Sequence, residues 1–171
     1  MMGTVTLRRA VPEDARLFAE TRRIVWGETY RGIYPDEMLD KYDVDAYAQR
    51  DRQRIENPQH HYYLYMDGEN CVGYFSFGPY NFGNYKDFEL CLNNLYIRSG
   101  YKGRGLGRQA FDVVRTHCRE RGIAKFFCGC NIHNDPAMLF YRHMGGVPGD
   151  AAEEHENRAD DIIHFEFHIG D

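Results

Sequence analysis

The chain has 171 residues, of which 43% are hydrophobic and 27% charged, and its formal net charge at pH 7 is −5. This composition excludes a disordered chain, and the length predicts one domain spanning residues 1–171. No apolar run approaches the ~20 residues of a membrane span, and the first nine residues lack the apolar core of a signal peptide. We therefore expect a cytoplasmic protein with no membrane partner. The acidic balance argues against nucleic acid as a partner.

Charge is distributed unevenly along the chain. Residues 98–125 include eight basic side chains and two acidic ones, whereas residues 150–171 include eight acidic side chains and one basic one. The basic stretch predicts that an anion binds in the middle of the chain. A solvated surface is the commoner explanation of the acidic stretch.

The five cysteines indicate neither a metal site nor a disulfide. Their number is odd and their spacing fits no zinc motif. Cys128 and Cys130 belong to an apolar run that is typical of a strand, where alternate residues share a face and cysteine packs as a small hydrophobe. The pair His60 and His61 lacks a third ligand. No metal is expected.

The first part of the chain predicts two helices followed by a meander of strands. Proline and two acids suit the first turn of the first helix, and Asp67–Asn70 is a good hairpin loop. The predicted elements are a strand at Thr4–Arg9, a helix from Pro12 to about Trp26, a break over Gly27–Pro35, a helix at Asp43–Asn57, strands at His61–Met66 and Cys71–Phe77, a loop at Pro79–Phe88 and a strand at Glu89–Ile97.

The second part alternates strands and helices. The clearest helix is Leu106–Arg121, whose apolar residues recur on one face and which Gly122 ends. The other predicted elements are a strand at Lys125–Cys130, a helix from Asp135 to the stop at Gly145-Gly146, a short strand near Val147 and a last strand at Ile162–Ile169. This order predicts an α+β fold with a mixed sheet and a right-handed strand–helix–strand unit.

A glycine-rich turn between a strand and a helix is the most informative segment. Gly103, Gly105 and Gly107 let the backbone approach a ligand, and the helix start offers unpaired N–H groups and the positive end of the dipole. Such a turn suits phosphate or pyrophosphate. It fits neither a P-loop, which needs Lys followed by Ser or Thr, nor a dinucleotide fingerprint, whose third glycine would fall at Arg108.

With these residues the chain resembles the GCN5-related N-acetyltransferase (GNAT) superfamily. The family's pyrophosphate motif, Arg/Gln-x-x-Gly-x-Gly/Ala, is matched by Lys102–Gly107 with Lys in the first place. A second signature, an Asn followed seven residues later by a Tyr and then by a Gly, is matched by Asn134, Tyr141 and Gly145. Trp26–Pro35 resembles the first helix-loop-helix of many bacterial members.

The resemblance implies an α+β fold in three layers, with a mixed, mostly antiparallel sheet of six or seven strands and helices on both faces. Acetyl-CoA would bind as co-substrate in a gap where the strand before the glycine turn splays from the strand after the helix. Backbone groups of Leu95, Tyr96 and Ile97 would hold the pantetheine arm and the thioester carbonyl, and Asn134 would hydrogen-bond the pantetheine or a backbone group nearby. The implied pyrophosphate cradle consists of Lys102, Gly103, Arg104, Gly105, Leu106, Gly107 and Arg108.

The resemblance also implies catalytic roles. Tyr141 is the candidate general acid for the leaving thiolate, although it can equally be explained as a packing residue on the buried face of its helix. Members that use a strand carboxylate as base place it where this chain has Cys91. Glu89 is the best substitute, with a solvent-exposed carboxylate as the alternative explanation, and a base acting through water could also involve Asn93 or His133.

The acceptor side of the family's site is built from the first helices, the loop after the third strand and the C-terminal region. An aromatic and acidic lining there suits a small cationic amine. We therefore expect an N-acetyltransferase acting on a primary amine, with a non-catalytic acyl-CoA-binding or sensing domain on the same fold as the alternative. Many relatives are dimers, which leaves a homodimer open. The candidate acceptor residues are Trp26, Tyr30, Tyr34, Tyr80 and Tyr85.

Overall fold

The computed structural model describes residues 3–80, 87–151 and 156–170, and seven strands lie within them. They are β1 (Thr6–Arg9), β2 (His61–Asp67), β3 (Asn70–Gly78), β4 (Cys91–Ile97), β5 (Lys125–Asn131), β6 (Val147–Ala151) and β7 (Ile162–His168). They form one sheet in the order β1-β2-β3-β4-β5-β7-β6. Only the β4–β5 pair is parallel among these strands, and the predicted mixed, mostly antiparallel sheet is confirmed.

Five α-helices in the described part of the chain cover both faces of the sheet. They are α1 (Ala15–Tyr30), α2 (Asp36–Asp40), α3 (Val44–Glu56), α4 (Leu106–Arg121) and α5 (Asp135–His143). Phe18 of α1 packs with Leu64 and Tyr74 on one face, whereas Phe111 of α4 packs with Phe126 and Phe167 on the other. No helix within the described ranges is both long and apolar enough to cross a membrane.

Two predicted boundaries are wrong, and one short helix was not predicted. Helix α1 continues through Gly27 to Tyr30, because the aromatic contacts of Trp26 with Tyr30 outweigh the cost of about 1 kcal/mol for glycine in a helix. Helix α2 was not expected, because five residues are too few to show a helical period. Strand β4 begins at Cys91, so Glu89 precedes the strand instead of sharing its face.

The path of β4 opens a gap in the sheet. Across the fully described strands β4 and β5, the paired positions are Cys91 with Phe127 and Leu92 with Cys128 alone. On its other side β4 pairs with β3 as far as Ile97, with a bulge that skips Asn93. The gap therefore begins at the bulge and widens toward the end of β4. This geometry confirms the splay expected from the family resemblance.

A buried ion pair ties α1 to α3. The side chains of Arg22 and Asp51 are 1% and 0% exposed, and the two guanidinium nitrogens donate to the two carboxylate oxygens at 2.8 and 3.0 Å. The guanidinium also lies 5.3 Å from the ring centre of Tyr47 and 5.4 Å from that of Tyr74. The pair thus fixes α1, which forms one wall of the gap, against α3 and β3.

Candidate active site

A cavity of about 500 Å³ occupies the gap between β4 and β5. The end of β4, the turn before α4 and the buried side of α5 form its walls, with Val25, Thr29 and Tyr30 of α1 at one end. Ten of the eleven predicted cofactor-binding residues line it, namely Leu95, Tyr96, Ile97, Lys102, Gly103, Gly105, Leu106, Gly107, Arg108 and Asn134. Their contact with a cofactor stays a prediction, but the fold brings them to one surface.

Two glycines explain how the backbone of the turn comes so close to the cavity. Gly105 caps α4 with φ of +80°, a left-handed conformation that other residues adopt only with strain. A Cβ on Gly107 would lie 2.7 Å from the ring of Phe140, so only glycine lets α4 approach α5 at this point. Tyr65 donates its hydroxyl to the carbonyl of Leu106 at 2.5 Å and holds the helix start on the sheet.

The first turn of α4 is the anion-binding feature of the cavity. The first amides of a helix have no intrahelical acceptor and carry the positive end of its dipole. Lys102 and Arg108 add positive charge at the cavity, and the Arg108 guanidinium lies 3.3 Å from Nε2 of His143. The turn therefore presents both amides and cations to one place, as a pyrophosphate requires.

Arg104 is the predicted cofactor residue that does not line the cavity. Its guanidinium donates to the carbonyl of Gly3 at 3.0 Å and lies 5.3 Å from the ring centre of Tyr101. The side chain thus contacts the N-terminal segment. A motif confined to positions 102–107 cannot predict this contact. Any contribution of Arg104 through its backbone stays a prediction.

Glu28 is a positioning residue that the sequence pattern did not indicate. Its carboxylate accepts a hydrogen bond from the amide of Ser99 at 2.9 Å and lies 3.5 Å from the guanidinium of Arg98. It therefore ties α1 to the segment between β4 and the glycine turn. A single glutamate at the end of a helix carries no signal for such a long-range contact.

Tyr141 lies on α5 and faces the cavity. The side-chain oxygen of Asn134 accepts from the amide of Ala137 at 3.3 Å, which caps α5 and sets the register between Asn134 and Tyr141. The Tyr141 side chain is 8% exposed, and burial raises its pKa well above the usual value of 10. Its hydroxyl is therefore protonated at neutral pH and is available as a proton donor.

Tyrosines also form the end of the cavity nearest α1. Tyr30 is buried, and its pKa is raised by burial and then by Tyr96, Tyr34 and Tyr141 nearby. Tyr34 stacks on Tyr30 with ring centres 4.1 Å apart. Trp26 meets both rings edge-on at 6.1–6.2 Å, and neither Trp26 nor Tyr34 lines the cavity. Trp26 thus supports the wall, and its predicted contact with an acceptor stays a prediction.

The other predicted acceptor and base residues lie apart from the cavity. Tyr80 packs 5.0 Å from the ring of Phe127, centre to centre, and Tyr85 falls outside the described residues. Glu89 is exposed ahead of β4 and is not part of the lining. Among the described lining residues there is no carboxylate, and His143 is the one histidine, with its Nε2 3.3 Å from the Arg108 guanidinium.

One nearby pair has the chemistry of a base. His133 directly precedes the cavity residue Asn134, and its Nε2 lies 2.8 Å from a carboxylate oxygen of the buried Asp161. The amide of His133 donates to Asn131, whose side chain in turn donates to the carbonyl of Arg158. Both partners of the pair are thus held in place. The sequence indicated His133, but not Asp161, which is brought to it from 28 residues away.

Cysteines and histidines form no metal centre in the part of the chain that the structure describes. All five cysteines are buried and free, and no group of three or more potential ligands converges within the described ranges. Cys128 and Cys130 share the buried face that contacts α4 and α5, as the strand pattern predicts. Cys130 also lines the cavity.

Comparison with known proteins gives the family. The model of the acetyltransferase (GNAT) family matches residues 18–145, and the chain therefore belongs to this family of acetyltransferases. A search of curated proteins found no match.

Solved structures show the same fold along nearly the whole chain. The PaiA N-acetyltransferase of Thermoplasma acidophilum, in complex with coenzyme A, is 17% identical with a TM-score of 0.75, over 96% of this chain and 99% of that one. yncA of Salmonella typhimurium, with its cofactor acetyl-CoA, is 16% identical with a TM-score of 0.70, over 97% and 94%. The ribosomal-protein-alanine N-acetyltransferase of Brucella melitensis is 18% identical with a TM-score of 0.69, over 95% and 99%.

Proposed function

We propose that this protein transfers an acetyl group from acetyl-CoA to a primary amine, with a small cationic amine as the acceptor. The observation that carries the proposal is the cavity between β4 and β5, where the glycine turn and Tyr141 face the same space. Family membership and the coenzyme A and acetyl-CoA complexes of two structural neighbours support the choice of donor.

The residues around the cavity fit the parts of this donor. The amides at the start of α4, with Lys102 and Arg108, suit the pyrophosphate. The edge of β4 beyond Leu92 has no β5 partner, so its backbone groups from Leu95 to Ile97 can pair with the amide-bearing pantetheine arm. Bound acetyl-CoA would supply an activated thioester carbonyl to the tyrosine-lined end of the cavity.

The reaction forms a carbon–nitrogen bond and breaks the carbon–sulfur bond of the thioester. The neutral amine supplies the electron pair, and the sulfur leaves as a thiolate. Tyr141 donates its phenolic proton to that thiolate, since Tyr141 lines the same cavity and its hydroxyl is protonated at neutral pH. The amine gives up a proton to a base and the product is an amide.

The aromatic end of the cavity supports a cationic acceptor. Tyr30 and Tyr96 line it there, Tyr34 stacks on Tyr30, and Asp160 lies near Tyr34. A cationic amine is attracted to the faces of aromatic rings and to a nearby carboxylate. A second positive group on the acceptor would remain outside the cavity while the reacting amine enters as the neutral form.

A panel of amines assayed by release of free coenzyme A thiol tests the proposal. Polyamines, aminoglycosides and amino-acid amides should be acetylated with higher kcat/KM than amines of similar size that have no net positive charge. Benzylamines that carry a carboxylate are such amines. Turnover of neutral or anionic acceptors alone would contradict the cationic acceptor. If none of the amines is acetylated, the proposed transferase activity is contradicted and the sensing domain is favoured.

The lack of a carboxylate among the described lining residues is the observation that favours a non-catalytic acyl-CoA-binding domain. Such a domain needs the cradle but not a proton acceptor. The pair His133–Asp161 answers this objection, because a carboxylate-oriented imidazole can serve as a base directly or through one water. Arg158 donates to Gly32 at 3.2 Å, and Asp160, next to Asp161, lies near Tyr34, so contacts of the segment that carries Asp161 with the residues after α1 support this role.

Two variants separate the candidate bases. We expect His133→Gln to lower kcat/KM by about 10²-fold at every pH of the rate profile, the effect of losing a general base. Glu89→Gln is the matched control, and it should leave both the rate and the profile unchanged. The opposite pattern would assign the base to Glu89, as the family resemblance suggested.

A further inference from the structure

A second cavity, of about 410 Å³, lies between α4 and the outer strands β1 to β3, away from the β4–β5 gap. We call it the histidine cleft. Residues of β1, β2 and β3 form its floor, and one side of α4 forms its wall. Its lining consists of Leu7, Arg9, His61, Tyr63, Phe77, Gln109, Asp112, Val113, Thr116, His117, Glu120 and Arg121.

The wall of the histidine cleft is a continuous stripe of α4. The seven helical residues in the lining recur at intervals of three and four from Gln109 to Arg121, so they share one side of the helix over about 18 Å. Val113 and His117, which the apolar pattern placed on the core face, are only half-buried and face the cleft. Strand β1 is an edge of the sheet, and α4 is the one helix that contributes to the cleft among its described lining residues.

The protonation state of His61 follows from its partner. The Arg9 guanidinium lies 2.8 Å from Nδ1 of His61, and a guanidinium has only donors. Nδ1 is therefore the acceptor, and the neutral ring carries its proton on Nε2. The ring of His117 lies 4.6 Å away, centre to centre. Burial, with the charges of His117, Arg9, Arg121 and His60, lowers the pKa of His61 to about 4.

Basic side chains from three elements thus line the same cleft. Arg9 comes from β1, His61 from β2, and His117 and Arg121 from α4. Two acids also line the cleft. Glu120 lies 3.6 Å from Arg121, on the same stripe, and Asp112 precedes His117 by about one and a half helical turns. An anion therefore binds most favourably at the end of the cleft that His61 and His117 form.

The floor beneath these groups is apolar. His61 stacks on Phe77 with ring centres 4.8 Å apart, and Tyr63 stacks on Phe75 at 4.9 Å. An inorganic anion would leave this floor unused, whereas a carboxylate on a small apolar body would contact both parts. The cleft volume lies within the range of about 300–1,000 Å³ that is usual for small-molecule sites.

We propose that the histidine cleft is a second ligand site, which binds a small organic carboxylate through Arg9, His61 and His117 independently of the acetyl-CoA cavity. The carboxylate accepts from the Arg9 guanidinium and from the Nε2–H of His61. His61 stays neutral because its Nδ1 faces the Arg9 guanidinium, whereas a bound anion favours the charged form of His117, so ligand binding takes up a proton there and becomes tighter as the pH falls.

Histidine ring NMR of the full chain tests this proposal with sodium benzoate as the probe and benzamide as its neutral analogue. The signals of His61 and His117 are assigned with His61→Gln and His117→Gln. Benzoate should shift both signals saturably, with a lower Kd at about pH 5.5 than at about pH 8. Arg9→Met should raise that Kd about tenfold, the effect of losing one charge-assisted hydrogen bond.

Controls keep the cleft separate from the proposed function. Arg119→Met removes an exposed cation of α4 that does not line the cleft, and it should leave benzoate binding unchanged. Acetyl-CoA affinity should be the same in Arg9→Met and wild type, which also shows that the variant is folded. No saturable shift with benzoate, equal shifts with benzamide, or an equal loss in Arg119→Met would each overturn the proposal.

Discussion

Replacing Tyr141 by Phe is expected to lower kcat by about 10²–10⁴-fold, the range measured for the loss of a general acid. The ring is held by Phe111, Phe165 and Phe167, with centres 5.8–6.3 Å away, and Phe preserves those contacts. Only the hydroxyl is lost from the cavity. The Kd for acetyl-CoA, measured by calorimetry on the same preparation, should therefore stay close to the wild-type value.

Tyr30→Phe is the matched control for Tyr141→Phe. Tyr30 lines the same cavity, is similarly buried and also has a raised pKa, but it lies on α1 at the far wall. We expect its removal to change KM for the amine more than kcat. Equal losses of kcat in the two variants would mean that the Tyr141 hydroxyl has no role that the Tyr30 hydroxyl lacks. Unchanged kcat in Tyr141→Phe would exclude Tyr141 as the general acid.

Asp51→Leu is expected to lower the free energy of unfolding by about 3–5 kcal/mol, because it leaves the Arg22 guanidinium buried without its counter-ion. The aromatic rings of Tyr47 and Tyr74 are weak substitutes for a bidentate carboxylate. Urea unfolding followed by circular dichroism measures the effect. Asp45→Ala removes the exposed partner of Arg16 from the same helix and should cost at most about 1 kcal/mol.

The double variant Arg22→Met/Asp51→Leu distinguishes a stranded charge from simple loss of packing. Replacing both partners of a buried pair by apolar residues is often nearly neutral, so the double variant should recover most of the lost stability even where Asp51→Leu alone does not fold. A double variant less stable than Asp51→Leu would contradict the argument, as would equal costs for Asp51→Leu and Asp45→Ala.

The glycine turn was predictable because its information is local. Glycines at alternate positions between a strand and an amphipathic helix specify both the backbone geometry and the exposed amides. The spacing of Asn134 and Tyr141 is local in the same sense, because the cap at Asn134 fixes the register of one helix. These segments line the cavity as expected.

Features that depend on distant partners were not predictable. The pairs Glu28–Ser99 and His133–Asp161 join residues that are 71 and 28 positions apart in the chain. No local sequence pattern around these residues predicts the contacts. The histidine cleft likewise depends on a distant partner, because β1 brings Arg9 beside one side of α4. The position of Glu89 was misjudged by two residues, which is enough to move it off the strand.

Calorimetric titration of acetyl-CoA into the purified protein, with coenzyme A, ATP and NAD in parallel, tests the central claim most directly. We expect saturable binding of acetyl-CoA and coenzyme A at one site, with no comparable binding of ATP or NAD. ATP and NAD lack the pantetheine arm, which uses the open edge of β4 in addition to the cradle. No binding of acetyl-CoA, or binding of ATP with equal affinity, would contradict it.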